Sequence, residues 1–180
     1  MDPVTVSTTI ARPREEVFEY LADFANHAEF TDHFLSDFHL TREDSYGLGA
    51  GGRFRIAQRL NRFGWADLTF SEFEPPRRLV ARGRGGKFNR SRTVAVWELE
   101  QAGGGETRVT FTIETLPGQP TDRVMETLLG ARGFAKRRWG RALGRLRAIL
   151  EDGEQRGRRA TIAGGPRKPA TGSPLRSLPD

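Results

Sequence analysis

The chain of 180 residues contains no cysteine. This excludes a disulfide framework, a thiolate metal site and a cysteine nucleophile. Histidine is scarce too: His27, His33 and His39 are the only three. The spacing of six between His27 and His33 does not bring them to one face of a helix, which argues against a paired-histidine metal site. All three read as ordinary surface or loop histidines, and neither a metal nor a cofactor is expected. No apolar run approaches the roughly 20 residues of a membrane span. Met1-Asp2-Pro3-Val4 lacks the basic and apolar regions of a signal peptide, so the expected location is cytoplasmic.

What the chain does have is charge, unevenly placed. The formal net charge is +6. Residues 155–180 hold six bases and one acid, so the tail carries most of it. Residues 1–52 hold ten acids against three bases, whereas 77–92 and 132–147 each hold seven bases and no acid. A basic patch attracts acidic surfaces, but no nucleic-acid motif accompanies it, and no specific nucleic-acid binding is expected. Beyond Glu154 the apolar periodicity stops, in favour of Arg, Gly, Pro, Ser and Thr. The expected organisation is one folded domain over 1–154 and a basic disordered tail over 155–180. Through that tail, weak contact with an acidic partner or a membrane surface is expected. The expected state is a monomer or homodimer.

Along the chain, Val4, Val6, Thr8 and Ile10 alternate as a strand. Pro13 then opens a helix over about 14–22, with Glu15 and Glu16 in its first turn where acids suit the dipole. Asp23 ends it, and a second short helix is predicted over about 26–34. The glycines from Gly47 to Gly52 suggest a phosphate loop, but a strand follows them rather than a helix, so they read as a turn. Strands are predicted over 36–43, from Arg53, over 64–74, 78–85 and 91–100, and through Val109, Phe111 and Ile113. Gly103-Gly104-Gly105 forms a hairpin loop. A long helix is predicted over Thr121–Asp152, its stripe made by Leu128, Ala135, Trp139, Ala142, Leu146 and Leu150, with Met125 and Leu143 at the edge. The poor helix propensity of Gly130 and Gly133 predicts a kink or break there.

The inward faces are apolar and aromatic: Phe54, Ile56, Phe70, Trp97, Phe111, Leu128 and Trp139, with Met125 further along the helix. Phe30 and Phe34 are expected to close one mouth. Gln58, Ser91 and Thr93 are the polar inward residues. An aromatic space with few polar groups suits a small molecule, and the same stripe also suits plain core packing. Arg82 or Arg84 reaches inward only if a bulge shifts the register.

Several segments resemble the START-like, or Bet v 1-like, superfamily and its polyketide cyclase/dehydrase and lipid-transport branch. They are Val4 to Pro13, Val17-Phe18 with Leu21-Ala-Asp23, and the glycines Gly47, Gly49 and Gly51. Phe73-Glu74-Pro75-Pro76-Arg77-Arg78-Leu79 and Gly105 to Thr110 complete the set, and the resemblance covers about residues 3–150. It implies an α+β helix-grip fold: a curved seven-stranded antiparallel sheet around a long C-terminal helix, with two short helices after strand 1. It also implies a hydrophobic cavity for a lipid, polyketide or isoprenoid.

Three functions follow as expectations. The first is a carrier or sensor of a small hydrophobic ligand, held by Phe30, Phe34, Phe54, Ile56, Gln58, Phe70, Thr93, Trp97, Phe111, Met125, Leu128 and Trp139. The second is a polyketide cyclase or dehydratase, which needs a polar side chain with a perturbed pKa inside the cavity; no catalytic residue is assigned. The third is a co-chaperone-like protein, or an interaction protein that docks an acidic partner or membrane surface through the basic last helix and tail.

Overall fold

The computed structural model describes residues 2–57, 64–116, 118, 130–153, 160 and 162. Strand β1 (Val4–Ile10) leads into α1 (Arg14–Ala22), a 3-10 turn (Phe24–Asn26) and the short helix α2 (His27–Thr31). Six strands follow: β2 (Leu35–Leu40), β3 (Gly51–Ile56), β4 (Trp65–Glu74), β5 (Arg78–Gly85), β6 (Ser91–Gly103) and β7 (Glu106–Leu116). Helix α3 (Ala131–Asp152) ends the described fold.

All seven strands form one antiparallel sheet in the order β1-β7-β6-β5-β4-β3-β2. Strands β4, β6 and β7 alternate buried with more exposed residues, as a sheet with one covered face must. In β6, Thr93, Ala95, Trp97 and Leu99 are buried while Glu98 and Glu100 are exposed. The sheet curls because its middle strands approach closely at glycines. A Cβ on Gly83 would collide with the Asp67 carbonyl of β4, and one on Gly85 would sit 2.6 Å from the Trp65 carbonyl. With α3 packed against β1 and α2, the architecture is the helix-grip fold.

Three local expectations are resolved. The second helix stops at Thr31 rather than Phe34, because the Phe34 amide donates back to the Thr31 carbonyl in a turn and Leu35 already begins β2. The bulge lies in β4, between Phe70 and Glu72, so β5 keeps its register and Arg82 and Arg84 stay on the exposed face. Gly130 adopts a left-handed conformation (φ 62°) directly before Ala131, so the helix begins beside a glycine where a kink or break is expected. The start predicted at Thr121 lies outside the described residues. The buried face of α3 is Trp139, Ala142, Leu143, Leu146 and Ile149. The stripe is thus turned from the expected one: Leu143 is central, and Ile149 replaces the half-buried Leu150.

The expected boundary at residue 154 also lies outside the described residues. Of the tail, only Ala160, which is buried, and Ile162, which is exposed, are described. Among the described residues no helix is long and apolar enough to cross a membrane.

Candidate functional site

Buried aromatic rings cluster where α2, α3 and the middle of the sheet meet. Trp97 and Phe111 are directly opposed across β6 and β7, with ring centroids 4.2 Å apart. Trp139 of α3 covers them, 4.1 Å from Phe111 and 6.1 Å from Trp97. Phe34 meets the other side of Trp139 edge-on at 5.2 Å. Such offset and edge-to-face pairs add to the area they bury.

The turn between α1 and α2 presses a histidine into this cluster. Asp23 caps the turn by accepting from the Ala25 amide at 3.0 Å, and the Asn26 side-chain amide donates to the Tyr20 carbonyl at 2.8 Å. Tyr20 in turn donates its hydroxyl to the buried Glu29 carboxylate at 2.9 Å. These local bonds hold the backbone that carries His27. Its ring stacks on Phe24 at 4.8 Å and stands edge-on to Phe70 and Trp97. Its Nε2 lies 2.8 Å from the Leu21 carbonyl, so in the neutral ring Nε2–H is the donor and Nδ1 an acceptor. Burial pushes the His27 pKa down to about 4, opposed by the Leu21 bond and by Asp23. The ring is therefore neutral at physiological pH.

Beside His27 lies a cavity of about 20 Å³, walled by Phe24, Phe54, Trp97, Phe111, Trp139 and neighbouring apolar side chains. His27 and Thr31 are its polar lining residues, and Thr31 uses its hydroxyl to donate to the His27 carbonyl at 2.6 Å. A space of this size holds one water. Its floor explains why it is there: Ala81 and Ala95 face each other across β5 and β6, and two methyl groups fill less than the aromatic side chains around them.

Of the residues expected to form the site, Phe54, Trp97, Phe111 and Trp139 line this cavity together. Phe30 and Phe70 stand one layer behind, both against His27, and Phe34 backs Trp139. Thr93 is buried on β6 with its hydroxyl 3.5 Å from that of Thr115, and Ile56 is half-buried at the end of β3; neither lines the cavity. Gln58, Met125 and Leu128 lie outside the described residues. His27 corrects the expectation of a surface histidine, since it is only 6% exposed. It goes inward because the α1–α2 turn offers it a carbonyl partner among aromatic rings. Phe24, Thr31 and Phe38 are further lining residues not anticipated from the sequence. The alanines at inward positions of β5 and β6 were the available signal.

His33 is half-buried, its Nε2 3.3 Å from the Arg138 carbonyl of α3. Burial lowers its pKa, and Arg141, Arg145 and Arg138 add to that. Arg145 reaches from α3 to the Asp32 carboxylate and to the Glu29 carbonyl. These bonds fasten α3 to α2. Among the described residues, no group of three or more His, Cys, Asp or Glu side chains could hold a metal.

A family model described as polyketide cyclase / dehydrase and lipid transport matches residues 1–151. No curated protein matches the sequence. Solved structures share the fold at low identity. TTHA0849 from Thermus thermophilus is 17% identical, with a TM-score of 0.63 over 82% of this chain and 96% of its own. The KanY protein, solved by NMR, is 13% identical, with a TM-score of 0.66 over 82% of this chain and 96% of its own. DynU16, from the dynemicin biosynthetic locus, is 24% identical with a TM-score of 0.55; the match spans 86% of this chain but 49% of DynU16.

Proposed function

We propose a function from one premise: the chain belongs to the polyketide cyclase / dehydrase and lipid transport family. The function is reversible binding of a small, largely apolar molecule between the sheet and α3, as a carrier or sensor. A lipid, polyketide or isoprenoid would suit. The observation that carries this reading is the aromatic cavity with a single neutral imidazole in its wall. Apolar walls with one or two fixed polar groups are how small-molecule sites combine affinity with orientation.

A space of about 20 Å³ does not hold such a ligand without rearrangement. Trp139 is the side chain to move, because it closes the space from the helix side and leans on the Phe34 ring. Binding therefore couples to a change of the Trp139 rotamer.

The cyclase or dehydratase reading is second. It would use His27 as its base, yet an imidazole with a pKa of about 4 is a weak one, since a general base works best with a pKa near the operating pH. Binding without turnover is favoured for that reason.

Incubating the full chain with fatty acids, isoprenoid alcohols and aromatic polyketides, then recording native mass spectra, tests the proposal. A retained species that also quenches tryptophan fluorescence is expected, because Trp97 and Trp139 both line the space. Unliganded protein in every mixture, with unchanged fluorescence, would count decisively against it.

A further inference from the structure

The hairpin between β5 and β6 is built differently from the rest of the sheet. Phe88 and Asn89, at its tip, both adopt left-handed backbone conformations, with φ of 57° and 55°. Such conformations are costly for residues other than glycine and persist where the surroundings enforce them. The result is to hold Phe88 out, 72% exposed. The Arg90 guanidinium lies 5.0 Å over its ring. The chain leaving β7 runs against the same tip: a Cβ on Gly118 would sit 2.7 Å from the Arg90 carbonyl. That segment brings Leu116, 49% exposed, to the same end of the sheet. Leu116 is register-paired with Arg92, and Arg92 with Arg84. Two exposed large apolar side chains therefore share one end of the sheet with three arginines.

Among the described residues, the charge at this end is not spent within the fold. Further along the same strand, Arg78 and Arg82 are both bonded to Glu72 at 2.5 Å. At the tip, Arg84 and Arg92 face each other directly, a like-charge pairing that costs stability in an isolated sheet. The acid opposite Arg84 is Asp67, which also lies 3.7 Å from Arg53.

We propose that the β5–β6 tip, with Leu116 beside it, is a docking surface for an anionic lipid bilayer, Phe88 entering the interface while Arg84, Arg90 and Arg92 meet the headgroups. A protruding apolar tip suits a yielding surface rather than a groove. Apolar insertion combined with arginines selects acidic over zwitterionic lipid. The cation–π stack lets Arg90 remain at headgroup level while the ring descends. This surface is separate from the cavity and does not depend on what the cavity binds.

The absence of cysteine allows a clean test with the full chain. Phe88→Cys carries an environment-sensitive dye at a single position, and Gln101→Cys, on the exposed end of β6 nearer the opposite hairpin, is the control. With vesicles of phosphatidylcholine and phosphatidylserine, the dye at 88 is expected to shift to the blue and the dye at 101 to stay unchanged. In co-sedimentation, replacing Arg84 or Arg92 by Gln is expected to weaken binding by about five-fold each. Phe88→Ser is expected to weaken it by roughly ten-fold, with melting unchanged because the side chain is exposed. Since Phe88→Ser preserves every charge, it separates the tip from attraction by the basic tail. Vesicle binding that ignores Phe88→Ser overturns the proposal. So does a dye at 88 that responds to single-stranded oligonucleotide and not to vesicles.

Discussion

His27 shows how one side chain can set a pH dependence. The folded state keeps its ring neutral until pH falls to about 4, whereas the unfolded chain takes up the proton near 6.5. Between those values the unfolded state binds more protons, so stability rises with pH across the window and is lost as pH falls through it. The full effect is on the order of 3 kcal/mol. His27→Phe is expected to flatten the dependence of unfolding free energy on pH between about 6.5 and about 5, above the range where Glu151 and Glu72 titrate. It forfeits the bond to the Leu21 carbonyl, but the adjoining cavity accepts the larger ring. A residual slope is expected from His33, whose pKa is also lowered. Denaturant melts at several pH values measure this, and identical slopes for the two proteins would refute the role of His27. None of it was legible from spacing. A histidine's burial depends on whether a carbonyl happens to face it, and Leu21 does so only because the chain turns sharply at Asp23.

Helix α3 was legible as an element but not in its phase. Its apolar residues recur at helical steps, so a helix over this stretch followed directly from periodicity. The expected stripe runs from Leu128 to Leu150, with Met125 and Leu143 at its edge and a kink or break at Gly130 or Gly133. Helix α3 begins after the left-handed Gly130, and its buried face is centred on Leu143 and Leu146. The far end is fixed by a residue whose role the sequence concealed. Arg12, in the turn after β1, donates from Nε to the Leu150 carbonyl at 2.7 Å and from Nη2 to the Glu151 carbonyl at 3.0 Å. These are carbonyls left without partners at a helix C-terminus, where a cation also suits the dipole. Glu151 answers by accepting from the Ala11 amide at 2.6 Å and from Arg147 at 2.9 Å. The Ala11 bond, then Arg147, holds its carboxyl below the usual range, so this contribution is present at neutral pH and lost only as pH falls through that lowered value. Arg12→Met is expected to cost about 1 kcal/mol, the net worth of a partly solvated hydrogen-bonded cap. It should also speed amide exchange over the last turn of α3 more than elsewhere. Arg12→Lys, which lacks the planar fork, should recover little of this. Exchange that stays uniform in Arg12→Met would show that the helix end is held by packing instead.

For the molecule as a whole, the strands were legible from alternating residues and turn glycines, and the helix-grip arrangement from the family resemblance of their order and wording. The size of the cavity could not. A void is the small difference between the space a curved sheet and a helix enclose and the volume of the side chains that fill it, so exchanging a few methyl groups for rings decides it. Ala81 and Ala95 in the floor open the space, and Trp139 closes it. Trp139→Ala should therefore convert a single-water void into a site, if α3 is held rigidly. There is reason to expect rigidity, because Arg145 ties the helix to Asp32 and Glu29, and Arg12 ties its end to the β1 turn. The cost is expected to be about 3–5 kcal/mol, the usual range for removing a large aromatic from a core. Indole, which matches the deleted group, should then raise the melting temperature of the variant increasingly with its concentration, as a ligand that binds only the folded state must. It should leave the parent protein unaffected. A folded variant that ignores indole would mean that α3 moves inward to fill the gap. The helix would then be the mobile wall through which a natural ligand gains its room.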